Sequence, residues 1–168
     1  MHIWTIFNWE KHYKLDDKRV RTGLRIKFDK SVDMEVKRSC KEFCKWLRKN
    51  YYFPMGIPIY IKSSPKTKAL DGEHVSAIFF APSDKYVEPY IRISTGEYEK
   101  ALMKYGKDNL LGSILISISH ELTHYFQWIN DIELTEIGEE RQAKSYAGFI
   151  IDEYSEIESI HKIISIQE

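Results

Sequence analysis

Hydrophobic positions along this chain change period twice. Val20, Leu24, Ile26 and Phe28 recur at period two within residues 20–28, as do Ile57, Ile59 and Ile61 after the turn punctuated by Pro54, Gly56 and Pro58. Both runs predict strands, because successive side chains on a strand face opposite sides. Residues 2–9, with Ile3, Trp4, Ile6 and Phe7, read as a further strand joined on by a charged loop. Behind Ser31, which reads as an N-cap, Val32, Val36, Cys40, Phe43 and Leu47 follow helical spacing and predict a helix to about Asn50. A Ser-Ser-Pro-Lys-Thr-Lys loop over 63–68 leads to two strands, about 74–81 and 88–94, around a Pro-Ser-Asp turn.

Thr95 then caps a short helix to about Tyr105, and from Asp108 onward the pattern is helical only. One helix runs from about Leu110 to Ile129 and another from about Thr135 to Ser155. Strands with one helix first, and helices last, define an α+β fold. The expected arrangement is one domain over 1–168, strand-rich in 1–95 and helical in 96–168. A small twisted sheet would have the 110–129 helix packed beneath it and the 135–155 helix beside that.

Composition narrows the class. The 168 residues are 43% hydrophobic and 30% charged, which suits one globular domain with a sizeable core. The formal net charge is zero, which argues against nucleic acid as a whole-molecule partner. That zero is unevenly made, with 17 Lys and Arg against 10 Asp and Glu in residues 1–84 and the reverse imbalance beyond. The N-terminus lacks the pattern of a secretory signal, and the longest apolar stretch, Leu110 to Ser119, is too short to span a membrane. Two cysteines, Cys40 and Cys44, are too few for a disulfide framework and read as buried free thiols. A cytoplasmic setting is therefore expected.

The chemistry concentrates in His120-Glu121-Leu122-Thr123-His124. On a helix, positions i and i+4 lie about 40° apart, so both imidazoles can reach one metal. On the same helical wheel Leu111, Ile114, Leu115, Ile118, Leu122, Tyr125, Phe126 and Ile129 form a core stripe. Ser113, Ser117, His120, His124 and Gln127 occupy the opposite side, as the floor of a cleft would. Glu121 stands beside a metal held by the two histidines. A bound zinc lowers the pKa of its water to about 7, and a neighbouring carboxylate can then take the proton.

Two histidines leave zinc short of ligands. Gln127 and Asn130 stand where a longer histidine motif would need Gly and His, and His161 is remote, so an acidic third ligand is expected from the following helix. There Glu140 falls within the apolar stripe of Ala143, Ala147, Ile151 and Tyr154, as a carboxylate facing inward. Glu136 falls on the same side, and Glu139 at its edge, so the wheel alone does not choose.

His120-Glu-Leu-Thr-His124 followed by Glu140-Arg-Gln-Ala143-Lys-Ser-Tyr146-Ala147 resembles the gluzincin metallopeptidases, which carry H-E-x-x-H on one helix and a glutamate ligand on the next. The second run looks like the third-ligand helix of the ImmA/IrrE and HtpX types. This resemblance covers roughly residues 110–151. It implies a zincin-like fold, one zinc per chain held by His120, His124 and Glu140, Glu121 as catalytic base, and hydrolysis of a peptide or protein substrate. Lys144 stands where those helices commonly carry Asp or Asn, so orientation of a ligand must come from another residue.

In peptidases of this build an edge strand above the metal pairs with extended substrate, which makes 74–81 or 88–94 candidates. Tyr146 is a candidate oxyanion donor, with core packing as the plainer role. The absence of a long apolar span argues against a membrane-embedded version. Two other classes stay in view. One is a binding or regulatory module that retains zinc without turnover, open to a protein regulator. The other is a phage- or nucleic-acid-associated domain using the basic 14–49 region.

Overall fold

The computed structural model describes residues 1–14, 17–64, 67–68, 74–75, 77–96 and 98–167. The fold is α+β, with four helices and a small mixed sheet of four strands among the described residues. Strands β1 (Leu24–Phe28), β2 (Ile57–Lys62), β3 (Thr67–Lys68), β4 (His74–Val75), β5 (Ala77–Phe80) and β6 (Tyr90–Ser94) alternate in the chain with helix α1 (Met34–Asn50) and precede α2 (Tyr98–Tyr105), α3 (Lys107–Ile129) and α4 (Glu136–Gln167). The main sheet has the order β1-β2-β6-β5. β1 and β6 both run parallel to β2, and β5 runs antiparallel to β6. β3 and β4 form a separate antiparallel pair.

Register explains why the period-two runs became strands. Ile26 pairs with Ile59 and Ile59 with Ile91, while Phe28 pairs with Ile61 and Ile61 with Ile93. These isoleucines share the sheet's inner face, and Ile57, Ile59, Ile61, Ile91 and Ile93 are buried. α1 presents Val36, Cys40, Phe43, Cys44 and Leu47 to the same core, and α3 presents Ile118, Leu122, Tyr125, Phe126 and Ile129. α3 lies against β5 and β6, and α4 packs beside α3. The metal-motif helix thus sits beneath the sheet as its apolar stripe dictates.

Several local expectations are corrected. Residues 2–9 do not form a strand: they make a turn followed by a 3-10 helix at Asn8–Lys11. Their apolar side chains are used individually, with Ile3, Trp4 and Trp9 buried and Trp4 Nε1 donating to Thr123 Oγ1 at 3.1 Å. β1 is shorter than 20–28 because Gly23, at φ +101°, breaks the extended run. The α1 cap is Asp33, whose carboxylate accepts from Glu35 N at 2.8 Å, while Val32 is buried ahead of it. An acid there also favours the helix dipole.

Thr95 does not cap a helix. Its backbone N–H and hydroxyl both donate to Lys62 O, which extends the pairing of β6 with β2. The loop expected over 63–68 contains β3, and its Pro65 and Lys66 lie outside the described residues. Within 74–81, β4 pairs with β3 and β5 with β6, while Ser76 lies outside the described residues. α4 continues well past Ser155, to Gln167. No helix among the described residues is long and apolar enough to cross a membrane.

Candidate metal centre

α3 holds its polar face rigidly because its other face is locked into the core. Tyr125 is fully buried, and its hydroxyl donates to Met55 O at 2.6 Å and accepts from Met55 N at 3.1 Å. At the helix end, Ile132 N donates to Gln127 O at 3.0 Å and Asp131 N to Trp128 O at 3.3 Å. With Asp131 left-handed at φ 50°, this is a Schellman stop. Asn130, fully buried, donates to Phe126 O at 3.0 Å and accepts from Trp9 N at 3.1 Å, so this position serves to terminate α3 and anchor the N-terminal segment.

On the opposite face three donors from two helices meet. His120 Nε2 lies 3.1 Å from Glu140 Oε2, and His124 Nε2 lies 2.9 Å from Glu140 Oε1. One ligand atom from each of the three residues falls within 4.8 Å of the others. Glu136 is outside this group, although it lines a cavity of about 500 Å³ together with His120 and Glu140. The two acids sit on one face of α4, and their position along the helix axis separates them. Glu140 is not buried as the inward-facing expectation had it. Its side chain is 58% exposed, at the open end of the stripe formed by the buried Ala143 and Ala147.

The donor set fits a zinc-class ion. Two ligands each about 2.0–2.2 Å from a tetrahedral ion stand about 3.4 Å apart, and three donor atoms within 4.8 Å of one another are on that scale. Imidazole must also be neutral to ligate. Burial pushes the His120 pKa down, and the neighbouring His124 adds to this, with Glu140 opposing both.

His124 is oriented by a partner the motif does not contain. Its Nδ1 lies 2.7 Å from Gln127 Oε1, and an amide oxygen only accepts, so Nδ1 carries a proton and Nε2 is the nitrogen turned toward Glu140 and the donor group. The Gln127 amide nitrogen in turn donates to Glu139 O and Gln142 Oε1, each at 3.0 Å. This ties the ligand's orientation to α4. Gln127 already fell on the histidine face of the sequence wheel, three residues past His124, and that spacing was the available signal. Gln142 carried none.

Glu121 is 8% exposed, and burial raises its carboxyl to about 7, with Glu140 adding to the rise and His124 opposing it. A carboxyl so placed exchanges a proton near neutrality. On the His124 side lies a second cavity of about 350 Å³, lined by Phe79, Ala81 and Trp128 among others. β5 is a sheet edge next to α3, whereas β6 is paired on both sides and cannot accept another strand.

Two further candidates resolve into structure. Tyr146 OH donates to Met1 O at 2.8 Å and accepts from Ile3 N at 3.2 Å, so it holds the N-terminal segment and is not an oxyanion donor. Cys40 and Cys44 are free and buried in α1, where burial pushes both thiols up, and neither joins the donor group. Against known proteins, no family, no curated protein and no solved structure matches the chain.

Proposed function

We propose that this chain is a zinc-dependent peptidase of zincin-like build. The reading is supported by one observation: His120, His124 and Glu140, brought from two helices, each hold a possible ligand atom within 4.8 Å of the others. Zinc held there would polarise a carbonyl and bring a coordinated water to a pKa of about 7. Glu121, buried beside the donors, takes a proton and returns it to the leaving amine as general base and then general acid. Gln127 keeps His124 in the tautomer that ligates.

A peptide or protein is the substrate class that the surroundings favour. Among the described residues the edge of β5 is unpaired and offers backbone groups to an extended chain alongside α3, and cavities border His124 and, separately, His120 with Glu140. A cytoplasmic, reducing setting belongs to the same reading, supported by the free thiols of Cys40 and Cys44.

The test is elemental analysis of the purified protein beside the Glu140→Ala variant. The expected result is about one zinc per chain in the wild type and a large loss in the variant. Wild-type protein that stays metal-free after zinc supplementation sinks the reading. Zinc retained undiminished in Glu140→Ala moves the third ligand to Glu136.

A further inference from the structure

The helices that cover the sheet, α1 and α3, lie on its inner face, where the isoleucines are buried. The outer face shows a different chemistry. Lys27 pairs across strands with Tyr60, Tyr60 with Arg92, and Arg92 with Ile78, so one row reads cation, ring, cation, apolar. The next ring, Tyr90, stacks on Phe80 with centroids 4.9 Å apart and stands 6.2 Å from Tyr60. Both tyrosines are partly exposed, and Lys27 and Arg92 are exposed.

We propose that this outer face binds single-stranded nucleic acid, with bases stacking on Tyr60 and Tyr90 and phosphates meeting Lys27 and Arg92. Every base offers a π-face to an aromatic ring, and a cation beside the ring neutralises the phosphate that follows it. Lys27 Nζ lies over the Tyr60 ring at 5.8 Å and Lys62 Nζ over it at 5.7 Å, and Arg92 Cζ lies over Tyr90 at 5.4 Å, so a base that stacks takes the place of an exposed cation on the ring face and that cation swings to the adjoining phosphate. Lys62 pairs with Asp29 and Arg25 with Glu88, whereas no carboxylate pairs with Lys27 or Arg92 among the described residues. Free cations are what a phosphate requires. An acidic peptide would use the cations and leave the rings idle, and a duplex keeps its bases stacked on one another, with no free π-face for the tyrosines.

The net charge of zero does not oppose this, because the positive charge is local. The metal donors lie on α3 and α4, away from the outer face, so binding is independent of metal and of the peptidase reading.

Fluorescence anisotropy of the full chain with labelled 12-nucleotide oligo(dT) and oligo(U), in EDTA, tests the proposal. Binding is expected, with affinity falling roughly tenfold between 50 and 200 mM salt if two or three phosphates are neutralised. Tyr60→Ala is expected to cost about tenfold and Tyr60→Phe little, since the ring is what stacks. Lys27→Glu with Arg92→Glu, at exposed positions that leave the core intact, is expected to abolish binding and its salt dependence. Circular dichroism checks that each variant is folded. No binding at 50 mM salt overturns the proposal. So does equal affinity for polyglutamate, which would mark a general polyanion site. Binding that survives both the ring and the charge changes but is lost on Lys37→Glu, Lys41→Glu and Lys45→Glu overturns it as well, and moves the contact to α1.

Discussion

Gln127 holds His124 through a 2.7 Å hydrogen bond and has no remaining amide proton free, since both are given to α4. A residue of no catalytic chemistry therefore fixes the tautomer of a candidate ligand and couples the two helices that supply the donors. Gln127→Leu keeps the volume and removes both functions. Zinc affinity is expected to fall about 10–100-fold, measured by competition with a chromophoric chelator. An unchanged affinity would mean that α3 alone orients the imidazole.

Glu121→Gln separates catalysis from binding. The variant is expected to retain its zinc while peptide hydrolysis drops by about 10²–10⁴-fold, the range for losing a positioned proton-transfer group. Zinc content and turnover are read on the same preparation. If the wild type holds zinc but turns over no peptide in a broad substrate screen, the zinc-retaining binding module becomes the better account.

Tyr125→Phe probes what keeps α3 in place. The buried hydroxyl satisfies both the N–H and the C=O of Met55, so its removal leaves two buried backbone groups without partners. Each such group costs about 1–3 kcal/mol, and urea denaturation is expected to show a loss of at least about 2 kcal/mol.

Asp131 gives a pH signature. Burial raises its carboxyl, but hydrogen bonds from Lys11, His12 and Lys85 outweigh this and hold it well below the usual range. The folded pKa lies below the unfolded one. The resulting stability is fully present above the unfolded value, about 3.9, and is lost as pH falls through the folded value. Asp131→Asn tolerates the same left-handed backbone and removes only the charge. At neutral pH the variant is expected to be less stable by about 0.5–1 kcal/mol, given a carboxylate one-third exposed, and the two proteins converge in acid. A gap that does not narrow between pH 7 and pH 2 would assign the effect to the backbone.

Much of this was legible in the sequence, where periodicity reflects burial on one face. Ile57, Ile59 and Ile61 announced β2, and the α3 stripe placed both histidines opposite the core. What was not legible depends on partners far along the chain. Ile3, Trp4 and Trp9 have the composition of a strand, but they pack individually against α3 and α4. Glu136 and Glu140 share a helix face, and only the axial offset between α3 and α4 brings one of them to the histidines. Pairing order, which excludes β6 as a docking edge and leaves β5, is likewise a property of the assembled sheet.

The N-terminal segment carries a kinetic consequence. His120 and Glu140 are 20 residues apart, whereas the bond from Ile3 to Tyr146 spans 143. Closing the short loop costs less entropy, and contacts of small sequence separation form sooner. The α3–α4 hairpin, with its donors, is therefore expected to form before the first residues dock. Amide exchange is then expected to be faster at Ile3 and Trp4 than along the middle of α3, and equal rates would place the first residues in the globally unfolding unit.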